Sequence, residues 1–232
     1  MSNSCLVVVD LQGDFLPPDG SLAIEQGRTI IPMIAELMKL PWSGVVLTQD
    51  WHPKDHTSFA SNHGVEPFVQ LPFKHPLGTL DSTTNESIVK LQTVWPDHCI
   101  QNSPGAAIEP TILKQFNSIS TETPKTIIQK GYISDREYYL CFQDTWGIHH
   151  TKMEQFLLDH HFSNVVFVGL AYDYCVYWSA KDCAELGFNT YVVSDYCKAV
   201  APSDIAAIEG RYHDANVKII RSGEVKTVLE EN

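Results

Sequence analysis

The chain alternates short, unbroken apolar runs with stretches whose apolar residues recur every three to four positions. The runs cover residues 5–9 (CLVVV), 44–48 (GVVLT), 125–129 (KTIIQ), 164–170 (NVVFVGL), 188–194 (FNTYVVS) and 216–220 (NVKII). Runs of this length, rich in Val and Ile, predict strands buried on both faces of a parallel sheet. Between them, Ile30, Ile31, Ile34, Leu37 and Met38 predict a first helix. Met153, Phe156, Leu157 and His160 mark another, and residues 175–186 a third, closed by Gly187 as a C-cap. Helices over 204–213, started by Pro202 and Ser203, and over 223–231 complete the pattern.

Strands alternating with helices predict an α/β fold: a mostly parallel six-stranded sheet with helices on both faces, in a Rossmann-like three-layer sandwich. Residues 1–232 are expected to form one domain. Residues 53–105 break the alternation, being rich in His, Pro, Asn and Thr with little periodicity. A long irregular segment inside a compact domain is usually functional.

Charge narrows the partners. Sixteen basic against 28 acidic residues give a net charge of −12, and no basic run is present, so a nucleic-acid partner is not expected. The longest apolar stretch, residues 165–171, falls well short of the ~20 residues that span a membrane. A soluble, cytoplasmic protein is expected. The six cysteines, at 5, 99, 141, 175, 183 and 197, include no C-x-x-C pair, which argues against a zinc ribbon or a dithiol redox centre.

The fold class directs attention to the carboxyl ends of the strands, where open parallel sheets bind ligands. Asp10 stands at the first such end, Asp50 and His52 at the second and Lys130 at the third; the fourth leads through Ala171 to Cys175 at a helix start. A helix N-terminus and a nearby lysine both favour a thiolate, so the Cys175 thiol is expected below its usual ~8.5, with Asp10 as its general base. Cys183 and Cys197 read as structural. In Asp50-Trp51-His52, alternate residues point the same way, so a carboxylate and an imidazole can share one cation. His98 is the best third ligand, with His56, His63 and His75 nearby in the sequence. Two imidazoles, one carboxylate and open water positions suit catalytic Zn²⁺; Fe²⁺ or Mn²⁺ also fits. His149-His150 and His160-His161 are expected at the surface, and Asp135-Arg136-Glu137 as a charged turn. Tyr138 and Tyr139 could serve the core or a pocket wall.

These residues fall in ordered motifs. Val8-Val9-Asp10-Leu11-Gln12-Gly13-Asp14-Phe15 resembles the first-strand signature of the isochorismatase-like cysteine hydrolases. Thr48-Gln49-Asp50-Trp51-His52-Pro53, Trp95-Pro96-Asp97-His98-Cys99, Lys130-Gly131 and Gly169-Leu170-Ala171-Tyr172-Asp173-Tyr174-Cys175-Val176 follow in order. With Asp135-Arg136-Glu137-Tyr138-Tyr139, the set is similar to the fungal-type nicotinamidase branch. The resemblance covers nearly the whole chain. It implies a triad of Asp10, Lys130 and Cys175, and a metal held by Asp50, His52 and His98, with His56 open as a further group. It also implies a cis Leu170–Ala171 bond that turns the Ala171 N–H to join the Cys175 N–H as an oxyanion hole, and substrate walls at Phe15, Trp95 and Tyr138. The implied activity is hydrolysis of nicotinamide to nicotinate and ammonia through a Cys thioester in NAD salvage, with the pyridine nitrogen on the metal. Subunit number, including a homo-oligomer, is left open, as are the roles of residues 60–94 and 143–150.

Other readings stand beside it. One is a cysteine amidohydrolase of the same fold acting on a carbamoyl or ureido compound; it would want an arginine-lined pocket, and only Arg136 lies near a strand end. Another is a non-catalytic metal-binding protein. A third is a redox sensor at Cys175.

Overall fold

The computed structural model describes residues 3–230. In chain order the elements are β1 (Ser4–Val9), α1 (Ile31–Leu37), β2 (Gly44–Asp50), β3 (Gln70–Lys74), β4 (Val89–Thr93), α2 (Pro110–Ser118) and β5 (Lys125–Lys130). They continue as α3 (Met153–Asp159), β6 (Asn164–Leu170), α4 (Cys175–Glu185), β7 (Asn189–Lys198), α5 (Ile205–Asp214), β8 (Lys218–Ile220) and α6 (Val225–Glu230). Six strands form one sheet in the order β5-β2-β1-β6-β7-β8, and every pairing is parallel.

The apolar runs enter this sheet as expected, and their alternate residues feed two separate cores. Leu6 and Val8 of β1 pack with α1, α2 and α6 through Ile34, Ile112, Phe116 and Val225. Cys5, Val7 and Val9 face the other way, onto α3, α4 and α5 through Leu157, Val176, Cys183 and Tyr212. A strand with period-two side chains that is apolar at every position needs helices on both faces, and it has them. Cys183 and Cys197 are buried within this second core. No helix among the described residues is long and apolar enough to cross a membrane.

Two elements depart from the sequence reading. The irregular segment contains an antiparallel hairpin, β3 with β4, in register from Gln70↔Thr93 to Lys74↔Val89. Its strands, QLPFK and VKLQT, are five residues long, mostly exposed and interrupted by Pro72, so their alternation is weak. The helix α2 was also not anticipated. It buries only Ile112 and Phe116, too thin a stripe to read, and is started by Pro110 at its first turn and by the Glu109 carboxylate accepting from the Thr111 and Ile112 N–H groups. The expected last helix begins as a tight turn over Ser222–Glu224 before α6, and Glu231 lies outside the described residues.

Candidate active site

β1, β2 and β5 are neighbours, so their ends meet. The pairing of β2 with β5 sets Asp50 directly opposite Lys130. The Lys130 side chain is fully buried, and its ammonium contacts Asp50 Oδ1, lies 2.9 Å from Asp10 Oδ2 and 3.6 Å from Cys175 Sγ, and donates to the Tyr138 carbonyl at 3.2 Å. The Asp10 contact is at ion-pair distance but not aligned as a hydrogen bond, which leaves Oδ2 without a hydrogen-bond donor. Asp10 sits just past β1 with φ of 47°, a left-handed backbone that is uncommon outside glycine and that aspartate tolerates better than most residues. Thr48 holds it there: its hydroxyl donates to Asp10 Oδ1 at 2.5 Å and accepts from the Asp10 N–H at 3.1 Å. Gln12 does the same for Asp50, accepting from its N–H and donating to its carbonyl, each at 2.8 Å.

One buried ammonium among two carboxylates and a thiol sets the protonation order. Burial pushes the Cys175 thiol well above its ordinary value, and Lys130 opposes this without reversing it, while Asp10 and Asp50 add to it. This runs against the expectation of a lowered thiol: the desolvation cost of a third anion exceeds what the lysine returns. Asp10 is also raised, chiefly by burial, with Lys130 opposing. Ligand atoms of Asp10, Asp50 and Cys175 all lie within 4.8 Å of one another. Thiol and carboxylate are thus both shifted toward holding a proton, and they adjoin. Lys130 itself is held well above its usual range: burial lowers it, but Asp10 and Asp50 more than offset that.

Cys175 is the first residue of α4, and the Leu170–Ala171 bond is cis. The Ala171 carbonyl accepts from the Tyr174 and Val176 N–H groups at 3.1 and 3.0 Å, closing the turn over the cysteine. Neither the Ala171 nor the Cys175 N–H has an acceptor among the described residues. Two such donors beside a thiol can receive a developing oxyanion.

On the other side of Asp50 stand His52 and His98. A short parallel bridge between His52 and Ile100 ties the two histidine segments together, and Asp14 anchors the second by accepting from the Cys99 N–H at 2.7 Å. The Nε2 atoms of His52 and His98 lie 3.6 and 4.0 Å from Asp50 Oδ2, all three residues are buried, and all ligand atoms fall within 4.8 Å of one another. Each ring directs its Nδ1 to a backbone carbonyl, His52 to Gly131 at 2.9 Å and His98 to Pro96 at 2.7 Å. That fixes the tautomer and turns both Nε2 lone pairs toward the carboxylate, the arrangement a divalent cation needs. Gly131 is required twice over: its φ is +72°, and a Cβ there would lie 2.3 Å from the His52 ring. Asp50 is held well below its ordinary range, because Lys130 and the imidazoles outweigh the burial that raises it. Burial with His52 alongside lowers His98 to about 4.

His56 lies outside the ligand set. Its Nδ1 accepts from the Ser58 N–H at 3.2 Å, its Nε2 reaches the Arg136 carbonyl at 3.0 Å, and its ring packs 4.2 Å from that of His52. Phe15, Trp95 and Tyr138 all line the cavity that opens on Cys175. Tyr139 and Tyr174 line it too: Trp95 donates to the Tyr139 hydroxyl at 3.2 Å and meets the Tyr174 ring edge-on at 4.9 Å. Two surface expectations fail here. Glu137 is only 4% exposed and faces the cavity, its carboxyl raised chiefly by burial. His149 is half-buried behind the pocket, where its Nδ1 meets the Tyr138 hydroxyl at 2.9 Å. Both sit in runs of charged or polar residues that resemble a solvated turn. No arginine lines the cavity among the described residues; Arg136 turns instead to Asp135, at 2.7 Å.

The isochorismatase domain family matches residues 4–222. The chain is similar to a curated nicotinamidase of Saccharomyces cerevisiae, with 37% identity over 221 residues, 93% of this chain and 98% of the relative. Among solved structures, the yeast nicotinamidase bound to the inhibitor nicotinaldehyde aligns with a TM-score of 0.86 at 34% identity, covering 94% of this chain and 100% of that one. The pyrazinamidase of Pyrococcus horikoshii in complex with zinc aligns with a TM-score of 0.68 at 27% identity, over 94% of this chain and 99% of that one.

Proposed function

The chain belongs to the isochorismatase-domain family and acts as a nicotinamidase, and we propose that Asp10, Lys130 and Cys175 are the residues that carry the reaction. The enzyme cleaves the carboxamide C–N bond of nicotinamide, releasing nicotinate and ammonia, the usual entry of nicotinamide into NAD salvage. The observation that carries the assignment is the Lys130 ammonium, buried among Asp10, Asp50 and Cys175.

In the first half-reaction Asp10 takes the Cys175 proton as the sulfur bonds to the carboxamide carbon. Lys130 compensates the negative charge throughout. The Ala171 and Cys175 N–H groups receive the oxyanion; loss of one such donor typically costs about 3 kcal/mol of transition-state stabilisation. The proton on Asp10 passes to the departing nitrogen, ammonia leaves, and a thioester remains on Cys175. In the second half-reaction Asp10 deprotonates a water that attacks the thioester carbon. The C–S bond breaks, the proton on Asp10 passes to the thiolate, and nicotinic acid leaves, giving up its remaining proton to become nicotinate. Burial raises Asp10, which makes it a stronger base toward the adjoining thiol than an exposed carboxylate would be.

Asp50, His52 and His98 fit a divalent cation, and we propose Zn²⁺. When bound, such a cation would supply a Lewis acid for the ring nitrogen of the substrate. Phe15 and Trp95 flank the pyridine ring, with Tyr139 and Tyr174 continuing the wall beside Trp95. The cavity's lack of arginine and the relatives' activity disfavour a carbamoyl or ureido substrate. Ammonia release from nicotinamide, assayed with and without chelator, tests the reading. Robust turnover that chelator suppresses and added Zn²⁺ restores is expected; no turnover by the metal-loaded enzyme would refute it.

A further inference from the structure

A second cavity, of about 530 Å³, lies between the β3–β4 hairpin, residues 143–150 and α4. That volume falls in the range of small-molecule sites. Its floor is one face of α4, where Trp178, Lys181, Asp182 and Glu185 recur at helical spacing. Its roof is built from the two segments that the reaction leaves unused. Lys90 and Gln92 of the hairpin donate to the Thr145 carbonyl and hydroxyl at 2.6 and 3.1 Å, joining hairpin to loop. The Trp146 ring is held by Lys90 lying 4.6 Å over it and by His75 edge-on at 5.0 Å. Asp144 shapes the loop by accepting from the Trp146 and His149 N–H groups, each at 2.6 Å.

The charged groups of this cavity all have partners except at one oxygen of Asp182; the Lys90 ammonium donates to the Thr145 carbonyl and covers one face of the Trp146 ring. Lys181 pairs with Glu185, and the Asp144 oxygens are filled by backbone donors. Asp182 is only 6% exposed; one oxygen accepts from the Gln143 amide at 2.9 Å and the other has no partner. A buried carboxylate oxygen without a donor costs free energy that a ligand's N–H group would recover. Two tryptophans beside a partner-short carboxylate match one chemistry, a flat ring carrying positive charge.

We propose that this cavity is a second small-molecule site, taking an aromatic cation whose N–H donor meets Asp182 while its ring packs against Trp146 and Trp178. The site is separate from the reaction pocket but shares a wall with it: Tyr139 lines both cavities, and α4, the floor of the second, begins at Cys175. An occupant therefore touches the elements that position the nucleophile without entering the space the substrate uses.

Benzamidine is a suitable probe, since it is an aromatic cation with N–H donors but has no ring nitrogen and no carboxamide. Calorimetric titration of the metal-loaded enzyme is expected to show saturable binding, weakened about tenfold or more by Asp182→Asn, which removes the charge, and by Trp146→Leu, which removes a ring. Both variants are expected to keep wild-type nicotinamide turnover, which reports that they fold; if one does not, the other decides. In wild-type kinetics benzamidine is expected to leave the KM for nicotinamide unchanged. Absence of saturable binding, equal binding by both variants and wild type, or simple competition with nicotinamide would each overturn the site. The calorimetry does not depend on catalysis, so its failure is distinct from a failure of the nicotinamidase reading.

Discussion

The two halves of the reaction site meet at Lys130 and Asp50, yet they treat charge in opposite ways. On the thiol side, Asp10 and Cys175 are both shifted toward keeping a proton, because burial outweighs a single lysine. On the imidazole side, Asp50 is shifted toward staying ionised, and both rings are aimed by backbone carbonyls. In the proposed mechanism the first half passes a proton and the second holds a fixed charge. The difference teaches that depth of burial does not decide the state of a carboxylate; Asp10 and Asp50 are both buried and diverge because Asp50 also faces two imidazoles.

Breaking the thiol half alone has the largest expected effect. Cys175→Ala should lower ammonia release by about 10⁴-fold or more, and Asp10→Asn by about 10²–10⁴-fold. Both should retain bound metal and nicotinamide affinity, measured by metal analysis and equilibrium binding. Loss of metal in either variant would erase the division between the halves.

Breaking the imidazole half alone is gentler. Gly131→Ala forces a Cβ against the His52 ring and a strained φ, so His52 must turn. Disturbing the group that orients a metal-bound histidine typically costs about 10–100-fold in metal affinity or activity. Competition with a metal indicator should show that loss, and activity should recover at high Zn²⁺; unchanged affinity would mean that the position of the His52 ring against Gly131 does not matter for metal binding.

The remaining effect is on stability rather than on turnover, and it sharpens the contrast by pH. His98 holds its proton only below about 4 when folded, and His56 is lowered too by burial, whereas an unfolded histidine titrates near 6.5. The unfolded chain then binds more protons, so metal-free protein should lose stability as pH falls from 6.5 towards 4, by up to about 3 kcal/mol from His98. His52 works against this: burial lowers it, but Asp50 more than offsets that and raises it. Urea midpoints of chelated protein from pH 7.5 to 5 should fall, and His98→Gln should flatten the slope. An equally steep slope in that variant would place the titration elsewhere.

The sheet was legible because its central strands carry unbroken apolar runs, as at residues 5–9 and 165–168, a pattern few other structures explain, and the strand ends then named Asp10, Asp50 and Lys130. Cys175 was legible because a helix pattern begins at it. The hairpin and α2 were not, because one exposes most of its side chains and the other buries two. Charge states were the least legible. The sequence shows a lysine and a helix start near the thiol, both lowering it, but not the fully buried Lys130 already shared with two carboxylates. Glu137 and His149 were hidden for a related reason: polar residues inside a loop look solvated until the loop is seen folding over a pocket.

The covalent step is the centre of the account. Acid quenching of wild-type enzyme during turnover of nicotinamide, followed by peptide mass spectrometry, should find a nicotinoyl thioester on the peptide carrying Cys175 and on no other cysteine. Turnover with no acyl adduct, or with the adduct on another residue, would contradict it.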